Sequence, residues 1–235
     1  MSKYLFLLFI FVGGGFVSCT QTGMDVKLLE QVENCVEVYP DSAMQLINLI
    51  ENPEHLHGKE RADYALLLAQ TLDKNYLDSL QSDSLIKIAV DYYKGGDDKV
   101  KAGKAYYYYG KMLVAKGKVS EAMEAYLEAL VFLKETNEYK LQGLLFEHVG
   151  YLNLGQGMHE QSIDNYRQSI HYYELAGDRI GEVYGCRNAA RGYLAKQNSD
   201  SARWYANRGL SLLTDTTNQV KSSLLQLLGL IAKEE

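Results

Sequence analysis

The sequence predicts an all-α protein built from repeated helical hairpins. Three segments align without gaps and start at a constant interval, at positions 106, 146 and 186. Small residues recur at fixed places in these segments, and a short turn separates the two halves of each. Apolar residues make up 47% of the 235-residue chain and prolines number only two, so the chain is globular rather than disordered.

The repeated segments are residues 106–130, 146–170 and 186–210. Small side chains at fixed positions let two helices approach closely, and the aromatic Tyr126 and Tyr166 would fill the remaining space. Ala206 departs from this aromatic position. The predicted structural repeat positions are Gly110, Ala122, Tyr126, Ala129, Gly150, Ser162, Tyr166, Ala190 and Ala202.

A turn follows the first half of each segment, at 116–118, 155–157 and 197–199. Second helices are predicted to start at Ser120, His159 and Ser199–Ser201, where Ser and Asp would cap exposed helix amides. Each unit is therefore helix, short turn, helix.

More diverged helices are predicted on either side of these units. Two earlier pairs are expected, and the second helices of both begin with Ser or Asp residues. The last segment, 218–235, reads as a first helix without a second, either a cap or the beginning of further repeats. The earlier pairs are 24–39 with 40–50, and 59–75 with 82–93.

This pattern resembles the tetratricopeptide repeat (TPR) family, through its small-residue positions and second helices such as "AKGKVSEAMEAYLEAL". The usual TPR unit has about 34 residues, and the extra residues here fall between units. The resemblance implies a right-handed α-α superhelix of about five helical hairpins plus a C-terminal helix. Its best-matching units are 103–136, 143–176 and 183–216.

The N-terminal residues 1–18 resemble a bacterial lipoprotein signal peptide, with an apolar run and the sequence "FVSC" at 16–19, which would be cut before its cysteine. Cys19 would be the lipidated residue, followed by a tether at 19–26 and the repeat domain at 27–235. An uncleaved N-terminal anchor is the alternative. The resemblance implies a lipid-anchored, periplasm-facing protein of the bacterial cell envelope, on either the inner or the outer membrane.

The net charge of −6 and the pI near 5.5 exclude the basic field of a nucleic-acid-binding protein. Cys35 and Cys186 are too few for a disulfide framework. They are expected to pack as small hydrophobic residues, with a single bridge between them as the alternative.

No motif for catalysis is present. The run "GGDD" at 95–98 resembles part of a cyclase signature, but without strands around it a helix end is expected. The histidines lack the i, i+4 pairing of zinc enzymes, and there is no phosphate loop or nucleophile elbow. We expect no enzyme activity, no cofactor and no metal.

Four successive tyrosines at 106–109 cannot share one helix face, because residues are about 100° apart. Tyr106 and Tyr109 are predicted to pack beside Gly110 against the second helix. The other two lie on the opposite face, which the TPR resemblance implies lines a concave groove. The predicted groove, with four cations and one carboxylate, is Lys104, Tyr107, Tyr108, Lys111, Glu147, Tyr151, Tyr184, Arg187 and Arg191.

Aromatic residues and Arg are enriched where binding energy concentrates, which favours a site for a protein or peptide segment. The other interpretation is that these long side chains simply solvate a helix surface. The predicted function is a membrane-anchored scaffold that binds a protein or peptide partner. The alternative is a sensing subunit of a signalling or transcription-control system, truncated at its C-terminus.

Overall fold

A computed structural model describes residues 15–77, 83–213 and 218–234. These residues are mostly helical, and no β-strand occurs among them. The chain divides into two compact units, Met1–Tyr92 and Tyr93–Glu235. No helix within the described ranges is long and apolar enough to cross a membrane.

The first three α-helices of the chain pack against one another and form the first unit's core. Val32, Ala43 and Ile47 are at most 1% exposed and form the centre of its core. Pro40 is the first residue of a helix, where its missing N–H costs nothing. The elements are α1 (Gly15–Cys35), α2 (Pro40–Ile47), a 3-10 turn (Pro53–His55), α3 (Gly58–Lys74) and α4 (Asp83–Tyr93), whose last residue begins the second unit.

The second unit continues as antiparallel helix pairs. Each first helix packs against the second helix of its own pair, and the first helices of the last two pairs also contact each other. The helices are α5 (Lys99–Ala115), α6 (Val119–Leu133), α7 (Tyr139–Gly155), α8 (His159–Ala176), α9 (Arg179–Ala195), α10 (Ser199–Leu212) and α11 (Asn218–Glu234). The predicted all-α fold is confirmed along the described chain, whose helices follow the order expected for five helix pairs and a C-terminal helix.

The turns between paired helices share one backbone motif. Gly117, Gly157 and Gln197 have φ of 73°, 74° and 60°, in the left-handed region. The N–H of the next residue donates to the carbonyl five residues back, as in Asn198 to Tyr193 at 2.9 Å. This closed turn decides where each second helix begins.

Side-chain capping of the second helices differs from the prediction. Ser120 lies inside α6, whose N-cap Lys118 makes no side-chain cap bond, and the N-cap of α8 makes none either. Asn198, rather than Ser199, caps α10 by accepting from the Ser201 N–H at 3.0 Å. The reason is that the closed turn already fixes the chain direction, so a capping side chain is optional.

The "GGDD" residues connect α4 to α5. Asp98 is the N-cap of α5, and its carboxylate accepts from the Lys101 N–H at 2.9 Å. Asp178 caps α9 in the same way, through the Gly181 N–H at 2.9 Å. The "GGDD" residues therefore form a helix boundary, in which Asp98 caps α5.

Paired helices meet at the small repeat positions. A Cβ built on Gly110 would lie 2.4 Å from the ring of Tyr126, and one on Gly150 would lie 2.7 Å from the ring of Tyr166. All nine structural repeat positions are buried.

Cys35 and Cys186 are free thiols, and Cys186 is fully buried.

The lipoprotein features remain predictions. Residues 1–14 of the predicted signal segment lie outside the described residues. The backbone of Cys19 is helical, since α1 begins at Gly15. The boundaries at 18, 19 and 26 also stay predictions.

Candidate binding groove

A cavity of about 310 Å³ opens on the first helices of three successive pairs. Its walls come from α5, α7 and α9, with one aromatic side chain from α6. The lining residues are Lys111, Val114, Tyr126, Glu147, His148, Tyr151, Leu152, Arg187, Asn188 and Arg191.

Glu147 is the centre of a polar network that joins three helices. Its Oε1 accepts from Asn188 Nδ2 at 2.8 Å, and its Oε2 accepts from the Tyr173 hydroxyl at 3.1 Å. Arg187 donates from Nε and Nη2 to Asn188 Oδ1 at 3.1 and 2.9 Å. Its guanidinium also lies 4.9 Å from the Tyr184 ring centroid. These bonds fix the side chains of one wall of the cavity.

The charges of the cavity are partly desolvated. Burial raises the pKa of Glu147, and the hydrogen bonds from Tyr173 and Asn188 and the charge of Arg187 oppose this rise. Burial lowers the pKa of Lys111 and of Arg187. The cavity thus combines three basic residues with one carboxylate, in a chain whose net charge is −6.

His148 supplies an aromatic wall. Its ring stacks on Tyr126, with centroids 5.2 Å apart and an interplanar angle of 24°. Burial, and secondarily the charge of Lys111, lowers the pKa of His148 to about 4, so the imidazole is neutral at neutral pH. The Tyr126 hydroxyl is buried and has no hydrogen-bond partner among the described residues.

Five of the nine predicted groove residues line this cavity. They are Lys111, Glu147, Tyr151, Arg187 and Arg191. Lys104 and Tyr184 are half-buried and lie outside the lining, although Tyr184 contacts Arg187.

The prediction that Tyr107 and Tyr108 face the groove is wrong. Each is only 4% exposed, because Tyr107 packs between Tyr126 of α6 and His148 of α7, at centroid distances of 6.3 and 5.6 Å. Tyr108 lies edge-on to Tyr107 at 4.9 Å. A helix inside an array is contacted from more than one side, so its buried face is wider than one stripe.

Sequence reasoning missed His148 and Asn188. Both share the repeat position of Tyr108, one and two repeat units further along the chain. The repeat interval that relates Tyr107 and Lys111 to their equivalents in the next two units also relates Tyr108 to these two residues. The predicted groove includes Tyr108 but not the equivalent residues of the next two units, so both were missed.

The described part of the chain holds no group of three or more His, Cys, Asp or Glu side chains that could bind a metal ion. The lining of the candidate site provides cations, one carboxylate, aromatic rings and hydrogen-bonding groups.

The following solved structures share the fold but are distant in sequence. The apo form of RapI matches at 11% identity with a TM-score of 0.71, over 92% of this chain and 60% of RapI. BtubC from P. vanneervenii matches at 13% identity with a TM-score of 0.62, over 91% of this chain and 82% of BtubC. The chain thus spans about 60% of the length of RapI.

TPR-like repeats of a Podosopora anserina kinesin light chain match at 12% identity and a TM-score of 0.57, over 86% of this chain and 97% of that one. No protein-family model and no curated protein matches the chain. The structural matches show the fold: the chain has the helical-hairpin fold of the TPR-like repeats of that kinesin light chain.

Proposed function

We propose that this protein is a binding scaffold that holds a protein or peptide partner in the groove formed by α5, α7 and α9. The observation that carries the proposal is the cavity on these helices, where exposed Tyr151 and Arg191 stand beside half-buried Lys111 and Arg187. Aromatic and Arg side chains contribute most to binding when a rigid wall holds them in place.

The rigid wall here is the network around Glu147. Hydrogen bonds from α8 and α9 hold both of its oxygens, and Asn188 in turn accepts from Arg187. Tyr151 is 56% exposed, and Arg191 is also exposed, so a partner could reach both. A pre-arranged site loses less conformational entropy when it binds.

The test is site-specific photocrosslinking in the native host. A photoreactive phenylalanine analogue replaces Tyr151, and the same analogue at Trp204 of α10, which is 57% exposed, is the matched control. A discrete adduct from position 151 that weakens with Arg191→Glu is the expected result. Equal adducts from both positions, or none from 151, would contradict the proposal.

We also propose that Cys19 carries a lipid that anchors the scaffold in the bacterial cell envelope. The support is the apolar N-terminal run that ends in "FVSC". The Cys19→Ala variant should lose labelling by a fatty-acid analogue and leave the membrane fraction. Cys35→Ala is the control and should keep both properties, and labelling that persists in Cys19→Ala would refute the anchor.

A further inference from the structure

We infer that the groove recognises an acidic partner segment, and that one Asp or Glu side chain of that segment enters the cavity and binds Arg191 and Lys111. This inference rests on the proposed function and specifies the chemistry of the partner. It has three supports: the charge of the cavity, the way its one carboxylate is used, and the form of its walls.

The first support is the charge. Three basic residues and one acidic residue line the cavity, so its sign is opposite to that of the whole chain. His148 adds no charge at neutral pH, since its pKa is lowered to about 4 by burial. Attraction between opposite charges is stronger in a partly desolvated cavity than in open water.

The second support is that Glu147 is already bonded on both of its oxygens, to Tyr173 and Asn188. It is therefore engaged by neutral donors rather than by a direct ion pair with the basic residues. Arg191 is exposed and makes no ion pair with another residue in the described ranges. An incoming carboxylate would thus supply the counter-charge at this basic side chain.

The third support is the form of the walls. Val114 and Leu152 give the cavity apolar surface next to its cations, and the stacked rings of His148 and Tyr126 extend it. A volume of about 310 Å³ accommodates one or two side chains rather than a whole helix. An aliphatic stem that ends in a carboxylate fits both surfaces.

The Tyr126 hydroxyl is a further polar group at this site. The residue lines the cavity, is 0% exposed, and its hydroxyl has no hydrogen-bond partner among the described residues. A buried hydroxyl without a partner is costly, and a bound acceptor would remove that cost. This is the feature expected where a ligand completes a site.

The test is an immobilised positional-scanning array of nine-residue peptides, probed with the full-length protein in detergent. Every position is occupied in turn by each amino acid, so the array itself is the probe. We expect the bound peptides to be enriched in Asp and Glu, and Glu→Gln peptides to bind about tenfold more weakly. Higher salt should reduce the preference.

Variants locate the effect. Arg191→Gln and Lys111→Gln should each abolish the preference for acidic peptides, and Arg191→Lys should retain most of it. Arg179→Gln is the matched control, since it removes the same charge from the same helix at an exposed residue outside the cavity. Circular dichroism confirms that each variant is folded.

The outcomes separate this inference from the proposed function. Peptide binding that is lost in Tyr151→Ala but shows no acidic preference would overturn the inference and keep the scaffold. Binding that no cavity variant alters would overturn both. Binding of free glutarate, with no binding of any peptide, would assign the cavity to a small molecule and also overturn the inference.

Discussion

Residues 107, 147 and 187 occupy the same place in three successive repeats, yet they carry an aromatic, an acidic and a basic side chain. Tyr107 is 4% exposed and packs among aromatic rings. Glu147 is held by two neutral donors, and Arg187 donates to an amide oxygen. A single repeat position can therefore be core in one unit and a site residue in the next.

Removing the Tyr107 side chain tests this distinction. Tyr107→Ala should lower the free energy of unfolding by about 3 kcal/mol, because it opens a cavity between α5, α6 and α7. Tyr151→Ala, at a side chain that is 56% exposed, should change stability by less than about 0.5 kcal/mol but weaken partner binding. Urea unfolding followed by circular dichroism measures both. Equal costs for the two variants would mean that α5 is rotated relative to this description.

At the scale of elements, close packing of paired helices depends on complementary sizes. Gly110 and Gly150 face the rings of Tyr126 and Tyr166, which leave no room for a methyl group. In the third unit the first-helix residue is Ala190, and the second helix has Ala206 instead of a tyrosine. Both alanines are fully buried. Where the first helix has alanine instead of glycine, the second helix therefore has alanine instead of tyrosine.

A methyl group added at this contact should be destabilising. Gly150→Ala would place its Cβ 2.7 Å from the Tyr166 ring and 3.2 Å from the Ser162 carbonyl oxygen, so we expect a cost of about 1–3 kcal/mol. Gly155→Ala is the control, because nothing lies within 4 Å of its Cβ and alanine favours the helix. Thermal unfolding compares the two, and a stabilised Gly150→Ala would contradict the packing described.

The turns between paired helices provide a second element-scale prediction. Gln197 holds φ of 60° where the two preceding units have glycine, and a side chain is strained there by about 1 kcal/mol. Gln197→Gly should therefore raise the free energy of unfolding by about 0.5 kcal/mol, and the reciprocal Gly157→Gln should lower it by about 1 kcal/mol. Chemical denaturation measures both, and shifts of the same sign would refute the assignment.

At the scale of the whole molecule, one imidazole is expected to make the fold sensitive to acid. The pKa of His148 is about 4 in the folded protein, below its ordinary value of 6.5. As pH falls, the unfolded chain therefore takes up a proton on this imidazole at a higher pH than the folded protein does. The contribution of this group to stability is fully present above about pH 6.5 and is lost as pH falls through about 4, and the loss is about 3 kcal/mol.

The measurement is the free energy of unfolding between pH 7 and pH 4. His148→Phe keeps the ring stacked on Tyr126 without a titrating group, so its stability should fall less over this range. His171→Gln, at an exposed histidine on α8, is the control and should follow the unmodified protein. An unchanged pH dependence in His148→Phe would show that another group is responsible.

Much of the fold could be predicted from the sequence because its signals are local and recur. The constant repeat interval and the small positions define which helices pair and where they touch, as at Gly150 and Tyr166. The candidate site was predicted only in part. Tyr151 and Arg191 follow from the repeat position of Lys111, whereas His148 and Asn188 lie at the position of Tyr108, which is buried in its own unit.

The sequence by itself determined the helical hairpins, their order and the contacts within each pair, since these follow from residue size and helical spacing over short distances. Only the tertiary structure decided which residues of α5 remain accessible. Tyr107 is enclosed by Tyr126 and His148 from two different helices, the second of them in the next repeat unit. Burial of this kind depends on how successive pairs stack, which the pattern within one helix does not specify.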